Sequence, residues 1–242
     1  MKRPNIHFVL TFLLLITLLT GCIHAPASYR PNSWVHTTIS MKSVADSPGR
    51  PLLQIIIVYG PAWDHHSALR LVCPGRPVLF WDPGGSYFPD LPEVVRRKDL
   101  IKGNPLDLEA YLRHLWQLSS IEVEVFEWDL KSEHADQLYD VLVNGTGKNH
   151  PAGRFTTATM APFCTVAVSD FLRRFAGETM TVPRSFFFPN NLARVLYTQS
   201  PKRVLAFRRN KQTAYFPPGI PSGDSQSSYI LEQPFHLSTG GK

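Results

Sequence analysis

A thiol, an imidazole and a carboxylate are the parts of a nucleophilic acyl-transfer site, and this chain carries them in three short stretches. Cys164 stands in Phe163-Cys164-Thr165, His66 in Asp64-His65-His66-Ser67-Ala68-Leu69-Arg70-Leu71, and Asp82 in Trp81-Asp82-Pro83-Gly84-Gly85. A thiol in the first turn of a helix lies in the positive field of unpaired N–H groups, which favours the nucleophilic thiolate. The same N–H groups can hold a developing oxyanion. A histidine on a neighbouring strand would take up the thiol proton and later hand it to a leaving group. A carboxylate on the next strand would hold that imidazole in the working tautomer.

The residues also admit other readings. Neighbouring strand residues point to opposite faces, so His65 and His66 cannot both face Cys164, and either ring is a candidate base. Cys73 and Cys164 are a possible disulfide pair in an oxidising compartment. Asp64, His65, His66 and Cys164 include metal-ligating types, but their spacing matches neither a closed structural nor an open catalytic zinc site, so no metal and no cofactor is expected. Cys164 under an apolar helix face is also what a core cysteine looks like. Asp82 before Pro-Gly-Gly suits a plain turn as well as an orienting role. Trp63 and Trp81 flank the site, and Phe186-Phe187-Phe188 is an aromatic cluster suited either to the core or to an acyl chain.

The elements that must position these groups are legible in the spacing. Leu52 to Tyr59 is a β-branched apolar run expected to form a buried strand, broken at Gly60-Pro61. His66 to Cys73 and Val78 to Trp81, joined by Pro74-Gly75-Arg76-Pro77, predict a hairpin with His66 at its start and Asp82 at its end. Leu108, Leu112, Leu115 and Trp116 predict a helix over 106–118. Ile121 to Trp128 alternates, with Ile121, Val123 and Val125 on one face and Glu122, Glu124 and Glu127 mostly on the other, and so predicts a half-buried strand. Ser132 as N-cap, then Ala135, Leu138, Tyr139 and Leu142, predict a helix ending near Asn144-Gly145. Val168, Phe171, Leu172 and Phe175 share a helical face with Cys164, and Gly177 ends that helix. Arg203 to Phe207 is a further strand candidate.

In this order of parts the chain resembles the circularly permuted branch of the papain-like superfamily, the NlpC-type hydrolases and their lecithin:retinol acyltransferase relatives. There the histidine strand precedes a nucleophile that opens a later helix as an aromatic or Asn, then Cys, then Thr or Ser. The matching residues are His66, directly before a small-apolar run, and Cys164 in Phe163-Cys164-Thr165; the likeness covers roughly residues 52 to 197. Phe163 stands where Asn is common. The stretch Pro183 to Leu196 looks like the loop after the nucleophile helix. The resemblance implies an α+β fold whose central antiparallel sheet packs against the helix opening at Cys164. It also implies His66 as base, with His65 as the alternative, and a thiol hydrolase acting on peptide or amide bonds of the cell envelope. An acyltransferase or lipid-acyl hydrolase using the same cysteine is the neighbouring expectation, and an inactive scaffold serving as an envelope binding protein the remaining one.

The leader sets the compartment. Met1-Lys2-Arg3, an apolar run from Ile6 to Leu19 and Leu19-Thr20-Gly21-Cys22 resemble a lipobox signal peptide. The run of roughly 14 residues is too short for the ~20 of a spanning helix. Cleavage would leave Cys22 first and acylated, each buried methylene contributing about 0.8 kcal/mol to membrane binding. An Asp after that cysteine would resemble an inner-membrane retention signal, so with Ile23 there the resemblance to bacterial lipoproteins implies the outer membrane. Residues 1–21 are thus read as leader, 22–50 as a Pro/Ser/Thr-rich tether, 51–210 as the domain and 211–242 as a Pro/Ser/Gly-rich tail. The net charge of +6 drops to about +4 without Lys2 and Arg3, and the remaining cations are scattered, which argues against a nucleic-acid partner. A membrane through Cys22, and peptidoglycan or lipid as substrate, are the expected partners.

Overall fold

The computed structural model describes residues 30–39, 49–60, 65–104, 106–118, 122–158, 163–208 and 211–218. They form a mixed α+β domain with nine strands in one antiparallel sheet and four helices. The strands are β1 (Val35–Thr38), β2 (Leu52–Tyr59), β3 (His66–Val72), β4 (Val78–Trp81), β5 (Val95–Arg97), β6 (Leu100–Gly103), β7 (Glu122–Asp129), β8 (Arg203–Arg208) and β9 (Lys211–Phe216). The helices are α1 (Leu108–Gln117), α2 (Ser132–Asn144), α3 (Cys164–Phe175) and α4 (Pro189–Tyr197). Across the sheet the strands run β1-β9-β8-β7-β2-β3-β4-β6-β5.

Both faces of the sheet are covered, which follows from the period-2 alternation of its strands. Leu53, Ile55 and Ile57 of β2 pack with Leu138 of α2, Val168 and Phe171 of α3 and Leu192 and Leu196 of α4. The residues between them, Ile56 and Val58, pack on the opposite face with Tyr111, Leu112 and Leu115 of α1. β2 is central and sided by β3 and β7, so its continuous apolar run is what double-sided burial requires.

The hairpin, the first two helices and the helix opening at Cys164 lie where the spacing predicts them, within two residues at each end. β7 differs from its expectation. It sits between β2 and β8 and is buried on both faces, so Glu122, Glu124 and Glu127 face the interior rather than solvent. Buried carboxylates need partners. Glu122 pairs with Arg30 and Arg208, Glu124 with Arg30, and Glu127 with Arg203 and the amide of Gln54.

The sheet also reaches past both expected domain boundaries. β1 lies in the segment read as tether and pairs with β9, in the segment read as tail, Val35 opposite Phe216 and Thr38 opposite Thr213. The stretch after α3 is not all loop, because Pro189 opens α4 and Leu192, Ala193, Leu196 and Tyr197 form its buried stripe. Cys22, Trp63 and Asp64, with the leader and the end of the tail, lie outside the described residues.

Candidate active site

β3 and β4 pair with Leu69 opposite Trp81, so the next residue, Asp82, comes level with Ala68 and stands diagonal to His66 on the same face. That diagonal is short enough for a hydrogen bond of 2.7 Å between His66 Nε2 and Asp82 Oδ1. The other ring nitrogen, Nδ1, is then left to serve the sulfur, and His66 and Cys164 each shift the other's proton affinity. The β3–β4 ladder ends at Leu69 and Trp81, which leaves the Ser67 N–H beyond it. Cys164 Sγ accepts that N–H at 3.4 Å. Beneath the sulfur, the hydroxyls of Ser67 and Thr165 are 3.0 Å apart, fastening the first turn of α3 to the start of β3.

Cys164 is the first residue of α3, and Phe163 before it offers no side-chain cap to the helix N–H groups. The N–H groups of that first turn have no partner within the helix itself. The two cysteines are free rather than bridged. Cys73 lies in the core, where burial pushes its thiol up to about 11 and its sulfur meets the Ala135 carbonyl at 3.5 Å. The disulfide alternative is thus corrected.

The electrostatics of the three groups belong together. Burial disfavours imidazolium at His66, but the hydrogen bonds and charges of Asp82 and Cys164 outweigh it and hold the ring up to about 10. Burial likewise disfavours thiolate at Cys164, and the hydrogen bond and charge of His66, with the Ser67 N–H and the Thr165 hydroxyl, bring its pKa below the ordinary thiol value. At Asp82 burial is again opposed by His66, then by Tyr111 and Arg96, and the carboxyl is held below its usual range. Both shifts act in one direction, favouring transfer of the thiol proton to the ring to give thiolate with imidazolium.

Asp82 is itself held firmly. It is buried; its Oδ1 also accepts the Tyr111 hydroxyl at 2.9 Å, and its Oδ2 accepts the Tyr87 N–H at 3.4 Å. Arg96 donates to the carbonyls of Gly85 and Tyr87, bracing the turn that carries the carboxylate. Gly85 is the residue that turn requires, since a Cβ there would lie 1.9 Å from Asp82 Oδ2. Tyr111, Tyr87, Arg96 and Ser67 were not singled out from the sequence. Tyr111 alone had a signal, because it falls three residues after Leu108 on the apolar stripe of its helix.

The structure brings together Cys164, His66 and Asp82. His65 stands one residue ahead of β3, and the ring between Asp82 and Cys164 is that of His66. Among the described residues no group of three or more His, Cys, Asp or Glu is placed to hold a metal ion. Trp81 is fully buried, its ring edge-on to Phe155 and Phe171 and its indole N–H on the Thr157 carbonyl, so it belongs to the core. The aromatic cluster divides: Phe186 is buried, whereas Phe187 and Phe188 are exposed beside Phe163, with the rings of Phe163 and Phe187 4.0 Å apart.

No protein-family model matches this chain, and neither the curated proteins nor the solved structures searched contain a match.

Proposed function

We propose that the domain is a cysteine hydrolase of the cell envelope that works through an acyl-enzyme on Cys164. The observation that carries this reading is the His66 ring set between Asp82, bonded to its Nε2 at 2.7 Å, and Cys164, with the imidazole raised and the thiol lowered. The thiolate attacks the substrate carbonyl carbon, and the oxyanion is met by the N–H groups of the first turn of α3. His66 Nδ1 gives its proton to the leaving amine or alcohol as the bond to carbon breaks, leaving a thioester. Water then adds to the thioester while His66 takes its proton, and release of the acid restores the thiolate. Asp82 keeps the ring oriented and its charge balanced throughout.

By the resemblance to permuted papain-like hydrolases, the bond cleaved is a peptide or amide bond of the cell wall, and the sheet with α3 is that fold in its permuted order. The exposed aromatics beside Cys164 favour a second reading of the same chemistry, in which the acyl group comes from a lipid. In either case the chain is a lipoprotein held by acyl groups on Cys22, at the outer membrane facing the periplasm.

The test uses the mature chain with a thiol-directed acylating probe, then with purified peptidoglycan and with phospholipid, products being identified by mass. Labelling of Cys164 that vanishes in His66→Ala supports the enzyme. Released muropeptides select the wall reading and lysophospholipid the lipid reading. A Cys164 no more reactive than an ordinary thiol leaves only a scaffold.

A further inference from the structure

The first described residue, Arg30, reaches far into the fold. Its guanidinium donates to Glu122, to Glu124 Oε1 at 2.8 Å and to the Tyr215 hydroxyl at 2.9 Å, and lies over the Tyr215 ring. Glu124 is fully buried and also accepts the hydroxyls of Tyr59 and Tyr197, each at 2.7 Å. This network fixes where the N-terminal segment meets the sheet.

That point lies at the nucleophile's end of the molecule. Ile57 is paired with Glu124 on one side and with Ser67 on the other, so the three form one row across β7, β2 and β3. Glu124 and Ser67 are therefore two strand spacings apart, roughly 10 Å. Glu124 carries Arg30, and Ser67 carries the sulfur of Cys164. Between Cys22 and Arg30 there are only eight residue steps, which span at most about 28 Å. A domain of this length is about 40 Å wide. A lipid on Cys22 thus holds the Arg30 end closer to the bilayer than the domain is wide, and that end carries the site.

The same end exposes the apolar surface such a position needs. Phe163, Phe187 and Phe188 are 40%, 49% and 44% exposed, and their rings are in contact in series. They do not hang loosely: the Phe186 N–H is bonded to Ser169 of α3 at 2.8 Å, and the Phe186 ring is turned inward. Arg184, also exposed, lies over the Phe186 ring with its charge available to an anionic headgroup.

We propose that this end docks on a phospholipid bilayer, with Phe163, Phe187 and Phe188 in the interface and the mouth of Cys164 facing the membrane. The inference rests on acylation of Cys22 in the proposed function, and it makes membrane-borne acyl or amide substrates the ones within reach. Docking is measured apart from the anchor and from catalysis by using the mature chain with Cys22→Ser and Cys164→Ala, so that neither acyl chains nor turnover contributes. Partition onto vesicles of phosphatidylethanolamine and phosphatidylglycerol should fall by about tenfold or more when Phe187→Ser and Phe188→Ser are added. Val95→Ser, which removes an exposed residue from the β5 edge, should leave it unchanged. Equal partition with and without the two phenylalanines overturns the proposal. So does loss of a dimer, seen by sedimentation, in place of loss of vesicle binding, because the patch then covers a second copy. The mass of the mature N-terminus reports the anchor separately, and thiol labelling reports the enzyme. On vesicles, slowed hydrogen exchange over 184–188 in the acylated chain is the further expectation, and protection at the opposite end instead overturns it.

Discussion

Cys164→Ala should make the stability of the domain fall more steeply with pH than that of the parent. In the parent, folding raises the proton affinity of His66 and lowers that of Cys164. Folding therefore moves the pair's proton toward the ring, whereas in the unfolded chain at pH 7 to 8 it stays on the thiol, the ordinary values being about 6.5 and about 8.5. The two shifts change the proton count in opposite senses, so each offsets slope from the other. The signs follow group by group. His66, raised, contributes stability that is complete below about 6.5 and lost as the pH climbs through about 10. Cys164, lowered, contributes stability that is present above its unfolded value and lost as the pH falls through its folded one. Removing the thiol leaves the His66 contribution unopposed. Asp82 remains 2.7 Å from Nε2, so the ring stays raised although one of its supports is gone. From about pH 6.5 upward the folded state then binds one proton more than the unfolded state. Stability should fall by about 1.4 kcal/mol per pH unit until the remaining folded pKa is reached. Urea unfolding at half-unit steps from pH 6 to 9 measures this, parent beside variant. Parallel curves would refute the ion pair, and a variant that gains stability with pH would reverse its sign.

Asp82→Asn removes a charge roughly 4 Å from the imidazolium centre, worth about 4 kcal/mol at an effective dielectric of 20, or about three pKa units. His66 should drop from about 10 to about 7, and the rate of iodoacetamide alkylation of Cys164 at pH 6 should fall at least about tenfold, in a variant whose circular dichroism is unchanged. Gly85→Ala would drive a methyl into the Asp82 carboxylate and should slow alkylation in the same direction while Cys164 and His66 stay in place; unchanged kinetics would mean the turn yields instead. Arg30→Ala leaves Glu122 and Glu124 without their shared cation and should cost about 3–5 kcal/mol in urea unfolding, with Glu124→Gln recovering part of the loss. Additive losses in that pair of substitutions would show that the two groups do not interact.

Much of this fold was legible because single elements carried their own signals. The hairpin from His66 to Trp81 was readable from two strand-length runs separated by Pro74-Gly75-Arg76-Pro77. α3 was readable because its apolar positions repeat at helical spacing from Cys164 onward. The alternation of β7 was also correct as alternation. What it could not reveal was that Glu122 and Glu124 on one face and Glu127 on the other would all be covered, because that takes Arg30 from the N-terminal side and Arg208 and Arg203 from β8. β1 was missed for a related reason. Val35–Thr38 is a short, exposed edge strand whose existence depends on β9, and an edge strand has no buried stripe of its own to read.

The site follows the same division. Its three reacting groups could be named because each sits at an element boundary that the local sequence marks: the first residue of a strand, the residue after a strand, the first residue of a helix. The residues that tune them could not, since Tyr111, Arg96 and the Ser67 N–H act through contacts made only when α1, β5 and α3 close on the β3–β4 hairpin. Sulfur and imidazole come from elements on opposite sides of the sheet, α3 on one face and the outward turn of His66 toward the α1 face on the other. They can meet only past the end of β4, where the ladder stops and no strand stands between them. Lengthening β4 by pairing Ser67 would close that gap, so the shortness of this strand is as much a requirement of the site as the three side chains are.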